Sequence, residues 1–219
     1  MKPLRFVVTA GPTREFLDPV RFLSNPSSGR MGFAVARAAR AAGHDTTLIS
    51  GPVALRSPQG VRRVDVVSAR DMLAAVRQVL SEEEGPTALV MTAAVADWRP
   101  ARRATRKLKK AQMAGTLRLT RNPDILKSLG RRIRGDVRIG FAAETGEPTA
   151  EAARKCRAKG LDLVVANDVT QTGAGFGTTT NRVALVFPDG RVEPLPLMAK
   201  AAVARRIVRL AERLAGGAA

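Results

Sequence analysis

The sequence predicts an α/β protein of three layers, Rossmann-like, with a mainly parallel sheet, helices on both faces and a late β-hairpin. Three observations carry this. Strand-like runs alternate with helix-like segments along the chain. The strand runs, TALVMTAAV among them, are apolar throughout rather than alternating, as in strands covered on both faces. The 219 residues suit one domain over 1–219, with no internal repeat and no linker.

LRFVVTA (4–10) reads as the first buried strand and FAVARAARAAGH (33–44) as the first helix. Between them runs a connection from Gly11 to about Gly29, where strand-to-helix links usually take ~2–6 residues. Long ordered links of this kind are more often functional than idle. DTTLIS (45–50) and VRRVDVV (61–67) are strands, and Ser68 with Asp71 three residues on has capping-box spacing. Met72, Leu73, Val76, Val79 and Leu80 then mark one face of a helix. TALVMTAAV (87–95) is the next strand, and a basic, irregular stretch (98–115) leads to a short strand, TLRLT. In NPDILKSLG, Asn122 suits an N-cap, Pro123 the first helical position, and Asp124 the positive end of the dipole. VRIGFAA (137–143) is a strand, residues 149–159 a helix stopped by Gly160, and LDLVVA (161–166) a strand. NRVALVF and VEPLP flank the turn PDGR as a hairpin over about 181–195. Residues 198–214 form a basic amphipathic helix, with a frayed GGAA tail.

Thirty-seven Lys and Arg against 19 Asp and Glu give a net charge of +18. Such a surface attracts anions without saying which: nucleic acid, acidic membrane and phosphorylated metabolites all fit. No apolar run reaches the ~20 residues of a membrane span, and the start lacks a signal-peptide apolar region. One cysteine, Cys156, permits no internal disulfide. It reads as a small helix residue, and the cytoplasm is the expected compartment. GxGxxG, GxSxG, HExxH, Walker A and Cys/His clusters are all missing from the sequence, which disfavours dinucleotide, hydrolase, zinc and P-loop chemistry.

In parallel sheets ligands sit beyond the carboxyl ends of the strands, which directs attention to the loops after Ala10, Thr92, Ala142 and Ala166. In the first, Ser27, Ser28 and Gly29 at a helix mouth make an anion site, with Arg21, Asn25 and Arg30 as added donors; alternatively Ser28 only caps the helix. In AAVADWRP, Ala93 and Ala94 let a flat ring approach the backbone, and Asp97 binds a ribose hydroxyl or magnesium, or shapes a turn. RPARRATRKLKK (99–110) is a solvated face or a flap over a polyphosphate. Phe141 stacks on a base or fills core. Lys155 and Lys159 share a helix face and reach one anion, or are solvated. Asn167 and Asp168 shape a turn, and His44 caps a helix end.

Taken in order, TAGPTREFLDPVRFLSNPSSGRMGFA, LISGPV, AAVADWRP, KLKK, NPDIL, GFAAET, KCRAKGLDLVVANDV and GFGTTTNRV resemble the phosphopantothenate–cysteine ligases, also called phosphopantothenoylcysteine synthetases, of coenzyme A biosynthesis. The resemblance implies a ligase that couples 4′-phosphopantothenate to cysteine through an acyl-cytidylate, using CTP and Mg2+. It implies that Asn25 binds the pantothenate carbonyl, with Arg21 in the same site, and that Lys107 serves the nucleotide and turnover of the intermediate. Ser27, Ser28, Gly29, Ala93, Ala94, Asp97, Asn122, Pro123, Asp124, Phe141, Lys155 and Lys159 match nucleotide-contacting positions, with Arg30 on the substrate side. Arg30 stands where the family usually has lysine, and Trp98 where it usually has tyrosine. In many bacteria this ligase follows a flavin-dependent decarboxylase in one polypeptide; nothing here resembles that half, so the expectation is a stand-alone ligase or a second half, without flavin. The resemblance also implies a homodimer with composite sites, the 181–195 hairpin being the candidate pairing element. A nucleic-acid-binding module using the +18 charge is the alternative, weakened by the scarcity of aromatics for base stacking. An NAD(P) oxidoreductase lacks its glycine fingerprint.

Overall fold

A computed structural model describes residues 4–82, 85–109, 115–129 and 135–217. Along the chain run β1 (Arg5–Ala10), β2 (Arg14–Phe16), β3 (Phe22–Ser24), α1 (Arg30–Ala41), β4 (Asp45–Ser50), β5 (Arg62–Asp65), α2 (Ala69–Ser81) and β6 (Thr87–Met91). There follow β7 (Trp98–Pro100), β8 (Leu119–Arg121), α3 (Ile125–Ser128), β9 (Val137–Glu144), α4 (Thr149–Ala158) and β10 (Leu163–Asp168). The chain continues through β11 (Thr180–Asn181), β12 (Ala184–Val186), β13 (Val192–Pro194), β14 (Met198–Ala199) and α5 (Lys200–Ala215).

Eight strands form the central sheet in the order β13-β12-β10-β9-β6-β1-β4-β5. The six strands from β10 to β5 are parallel, and β12 and β13 join antiparallel at one edge. The expected hairpin therefore exists, and it is built into the sheet through β12 pairing with β10. From β1 the chain turns to β4 on one side, then returns to β6 on the other. That reversal is the topological switch point where ligand clefts open in such sheets.

Two apolar layers sandwich the sheet. On one face α1 and α5 bury Phe33, Val35, Val203, Ile207 and Val208 against Phe6, Val8, Leu48, Val90 and Ile139. On the other, α2, α3 and α4 bury Met72, Val76, Ile125 and Cys156 against Val7, Ile49, Leu89 and Val164. The Cys156 thiol is buried in that second layer, and burial pushes it up to about 11, so it is an inert packing group at neutral pH.

Several local expectations hold. Ser68 and Asp71 form the full capping box of α2, and Gly160 follows α4 in a left-handed conformation, φ 59°. Others are corrected. The first helix starts at Arg30, not Phe33, and its N-cap is Gly29 at φ 75° with no side-chain cap, so Ser28 does not cap it. Asp124, rather than Asn122, caps α3 by accepting from the Lys127 amide. The fourth strand stops at Met91 because the Ala93 amide turns to the Thr9 hydroxyl in β1 and the Ala94 and Ala96 amides turn to the first loop. His44 closes the end of α1 as expected, through its backbone: past Gly43 at φ 87° its amide donates to the Ala39 carbonyl at 3.1 Å. Its side chain is buried against Phe6, accepts from the Leu4 amide at 3.3 Å and meets Glu212 at 2.9 Å, tying α5 to the start of β1. The irregular 98–115 stretch contains β7, paired with β8; its residues 110–114, and hence Lys110, lie outside the described residues, as do Gly130 and the tail residues 218–219.

Candidate functional site

A cleft of about 870 Å³ opens at the carboxyl ends of β1, β6, β9 and β10. Its walls come from the loops that follow those strands, together with the Arg121–Lys127 turn and side chains of α4 and α5. The long first connection folds into a small antiparallel hairpin, β2 with β3. Its two ends meet, since a Cβ placed on Gly29 would lie 3.4 Å from the Gly11 amide nitrogen. The loop is thus a closed appendage on the sheet rather than a slack link.

The first and fourth loops are sewn together by their backbones. The Ala94 amide donates to the Gly11 carbonyl at 2.9 Å, the Thr13 amide to the Ala94 carbonyl at 3.4 Å, and the Ala96 amide to Thr13 Oγ1 at 3.0 Å. Asn25 Nδ2 donates to that same Ala94 carbonyl at 3.1 Å, which aims one amide edge at the floor and leaves the rest of the group in the cleft. Gly32 makes this closeness possible. A Cβ there would fall 2.4 Å from Thr92 Oγ1 and 2.9 Å from the Thr9 carbonyl oxygen, so α1 rests directly on the strand ends. Its N-terminus, with Ser27, Ser28 and Arg30, faces the cleft, and the first amides of a helix have no partner within it.

Asp97 is exposed on the cleft wall. Asn122 supports that wall with its own side chain: Nδ2 donates to the Ala96 carbonyl, its amide to the Asp97 carbonyl, both at 2.8 Å. At the α4 side Lys155 Nζ donates to the Phe141 carbonyl, and burial, then the nearby Lys159 charge, lowers its pKa. Lys159 pairs with Asp124 at 2.9 Å. Burial works to raise the Asp124 carboxyl, but Lys159 and the Lys127 amide outweigh it and hold it lower. The cleft is therefore a polar, cation-rich trough with a largely uncharged backbone floor, suited to a phosphate-bearing ligand with a flat ring.

The structure brings Asn25, Ser27, Ser28, Gly29, Arg30, Ala93, Ala94, Asp97, Asn122, Pro123, Asp124, Phe141, Lys155 and Lys159 into this one cavity. Arg21 and Lys107 do not line it. Arg21 is bound to Asp18, whose fully buried carboxylate also accepts from the amides of Val20, Arg21 and Leu108. Arg21 Nη2 returns to the Leu108 carbonyl at 2.9 Å. The pair thus clamps the basic strap at Leu108 and leaves Lys107 and Lys109 exposed beside it. Arg21, foremost, drives the Asp18 carboxyl well below the usual carboxylate range.

Sequence reasoning missed Phe176, Asn181 and Lys200, which also line the cleft. Lys200 left a signal: it sits three, four and seven residues before Val203, Ala204 and Ile207, on the buried stripe of α5.

Fold and site define a doubly wound α/β protein with a polar, cation-rich cleft at its switch point. The chain belongs to the family of DNA/pantothenate metabolism flavoprotein C-terminal domains, whose model matches residues 1–214. It is 47% identical over 204 residues to the coenzyme A biosynthesis bifunctional protein CoaBC of Bacillus subtilis, covering 93% of this chain and 50% of that one. It is 44% identical over 200 residues to CoaBC of Escherichia coli K12, covering 89% and 48%. The chain thus spans about half the length of the curated relatives it matches. Among solved structures, the C-terminal domain of a CoaBC protein matches with a TM-score of 0.79 at 41% identity, covering 96% of this chain and 95% of that one. A Cab2 variant in complex with phosphopantothenate-cysteine shares the fold at a TM-score of 0.80 and 14% identity. These relatives do not favour the nucleic-acid alternative. No helix among the described residues is long and apolar enough to cross a membrane.

Proposed function

We propose that this chain is a phosphopantothenate–cysteine ligase. In this reading the carboxylate oxygen of 4′-phosphopantothenate attacks the α-phosphorus of CTP and pyrophosphate leaves. The amine of L-cysteine then attacks the acyl carbon, the amide bond forms, CMP leaves with the bonding pair, and the ammonium proton passes to solvent. The observation that carries the reading is the single cleft holding Asn25, the α1 N-terminus, Asp97, Lys155 and Lys159, in a chain 41% identical to a CoaBC C-terminal domain over nearly its whole length.

The residues divide the work by their chemistry. Asn25, fixed on the Ala94 carbonyl, offers its remaining amide hydrogen to the pantothenate carbonyl as charge develops there. Ser27, Ser28, Gly29 and Arg30 receive phosphate oxygens at the α1 N-terminus. Ala93 and Ala94 admit a flat base, Phe141 flanks it, and Lys155 with Lys159 screens the anions that must meet. Asn122, Pro123 and Asp124 hold the nucleotide side of the wall. Among the described residues no three His, Cys, Asp or Glu side chains gather as a metal site. That donor set fits Mg2+ arriving with nucleotide phosphates and touching Asp97 alone, where it would supply charge neutralisation.

Lys107 and Arg21 acquire their expected roles in this reading through a homodimer with composite sites, one protomer's strap reaching its partner's cleft. The β13 edge of the sheet, carrying exposed Val192, is where hairpin pairing of two protomers would extend it.

The test is pyrophosphate release with each substrate omitted in turn. Release is expected to require CTP and phosphopantothenate together, and amide product to require cysteine as well. Equal release without phosphopantothenate overturns the assignment.

A further inference from the structure

Lys200 opens α5 and is 7% exposed, yet it reaches the cleft. Its Nζ donates to the Gly175 carbonyl at 2.8 Å, the Thr178 carbonyl at 2.9 Å and Thr178 Oγ1 at 3.3 Å. Three donors meet three acceptors, so the ammonium is fully used. All three belong to one loop, 173–181, which places Gly175, Phe176 and Asn181 on the cleft wall. The same loop is stitched to the start of α5 by its backbone: Thr180 and Asn181 pair with Ala199 and Met198, and the Lys200 amide donates to the Thr179 carbonyl at 2.9 Å. Inside the loop Thr180 Oγ1 donates to the Gly173 carbonyl at 2.6 Å, and the Gly175 amide approaches Asn181 Oδ1 at 3.5 Å.

Every acceptor around this ammonium is neutral. No carboxylate pairs with it among the described residues, and the charge that bears on it is another cation, Arg30 at the α1 mouth. A buried cation without a counter-ion is costly and is seldom kept for stability alone. Here it gathers the Gly175 and Thr178 carbonyls together, which a neutral side chain with fewer donors could not do. It also leaves a surplus of positive charge beside the helix end where anionic substrate is received.

We infer that Lys200 is a positioning residue of the reaction: its ammonium holds the 173–181 loop, with Phe176 and Asn181, as a wall of the substrate cleft. It acts on substrate through that loop and takes no part in bond making. The inference rests on the ligase reading for the identity of the substrate, whereas the ordering of the loop stands apart from it.

The experiment compares the full chain with Lys200→Met, nearly equal in volume, and Lys200→Arg, which keeps the charge. Arg209→Gln, on the exposed face of α5, controls for loss of one cation. Hydrogen exchange on the ligand-free proteins reads the loop directly. Lys200→Met is expected to lose protection across 173–181 while α1 and the rest of α5 keep theirs, with Lys200→Arg recovering part of it. Pyrophosphate-release kinetics should show KM for the anionic substrates raised roughly 10-fold or more in Lys200→Met, kcat falling less. Wild-type exchange in Lys200→Met, loss spread evenly over α5, or equal behaviour of the Met and Arg variants would each overturn the role. If the chain releases no pyrophosphate at all, the ligase reading fails, and the exchange data still decide whether Lys200 holds the loop.

Discussion

Two groups of lysines on this chain live in opposite conditions. Lys155, Lys159 and Lys200 are held by the sheet and its helices, each with a named acceptor, and each faces the cleft. Lys107 and Lys109 stand exposed on a strap that is anchored between them at Leu108, clamped by Asp18 and Arg21, and again at Ala104, whose amide donates to the Leu17 carbonyl. The first group has its geometry fixed before any ligand arrives, which favours binding and orientation. The second lies at the solvent-exposed surface of the strap, which suits closure over a ligand or delivery to a second protomer. Similar charges thus do different work because one set is desolvated and the other is not.

The contrast can be broken most sharply at the catalytic step. Asn25→Asp is expected to lower amide formation by roughly 10²–10³-fold, more than it slows nucleotide activation. Mass spectrometry of quenched reactions should then show accumulated acyl-cytidylate, and normal flux to product would count against the role. Lys107→Gln should likewise be nearly inactive alone. Co-refolding it with Asn25→Asp should restore about one quarter of wild-type activity if sites are shared between protomers, since half the dimers are mixed and each holds one intact site. No recovery would place Lys107 and Asn25 in the same subunit's site.

Lys155→Met tests the fixed group, with a loss of roughly 10–100-fold in kcat/KM expected from removing one charge-assisted contact. Gly32→Ala probes the frame beneath both groups. The clash with Thr92 and Thr9 should cost about 1–3 kcal/mol, read by urea unfolding. The smallest effect is on pH. Lys155 and Lys200 titrate below the 10.5 of a free lysine. In the window between the lowered values and 10.5 the unfolded chain binds protons the folded chain lacks. Ligand-free stability should therefore rise with pH across that window, and the rise should flatten in Lys155→Met. An unchanged slope in the variant would count against this account of Lys155.

Much of this was legible in the residues. Uninterrupted apolar strands gave the parallel sheet, and the rule of strand ends led to the loops that do line the cleft. The losses have physical causes. The three-residue strands β2, β3, β7 and β8 are too short to carry a period, so the long loop and the basic stretch concealed two hairpins. Asn122 looks like a cap because its sequence neighbours suit a helix start, yet its side chain is drawn to the Ala96 carbonyl across 26 residues. Arg21 sits in a motif-rich loop, but the buried Asp18 three residues away outcompetes the cleft for its guanidinium. Lys200 was visible as a cation on an apolar stripe; its tripod of acceptors was not, because the loop that supplies them lies 22 to 25 residues upstream.

α5 is moored at both ends, by Glu212 to His44 near the opening strand and by Lys200 to the cleft wall. During synthesis, then, the ribosome must release the chain through about residue 215 before one face of the sheet is roofed, and the pocket is finished by the same docking event. A nascent chain stalled short of α5 would carry most of the residues that line the cleft but lack the helix that moors its wall.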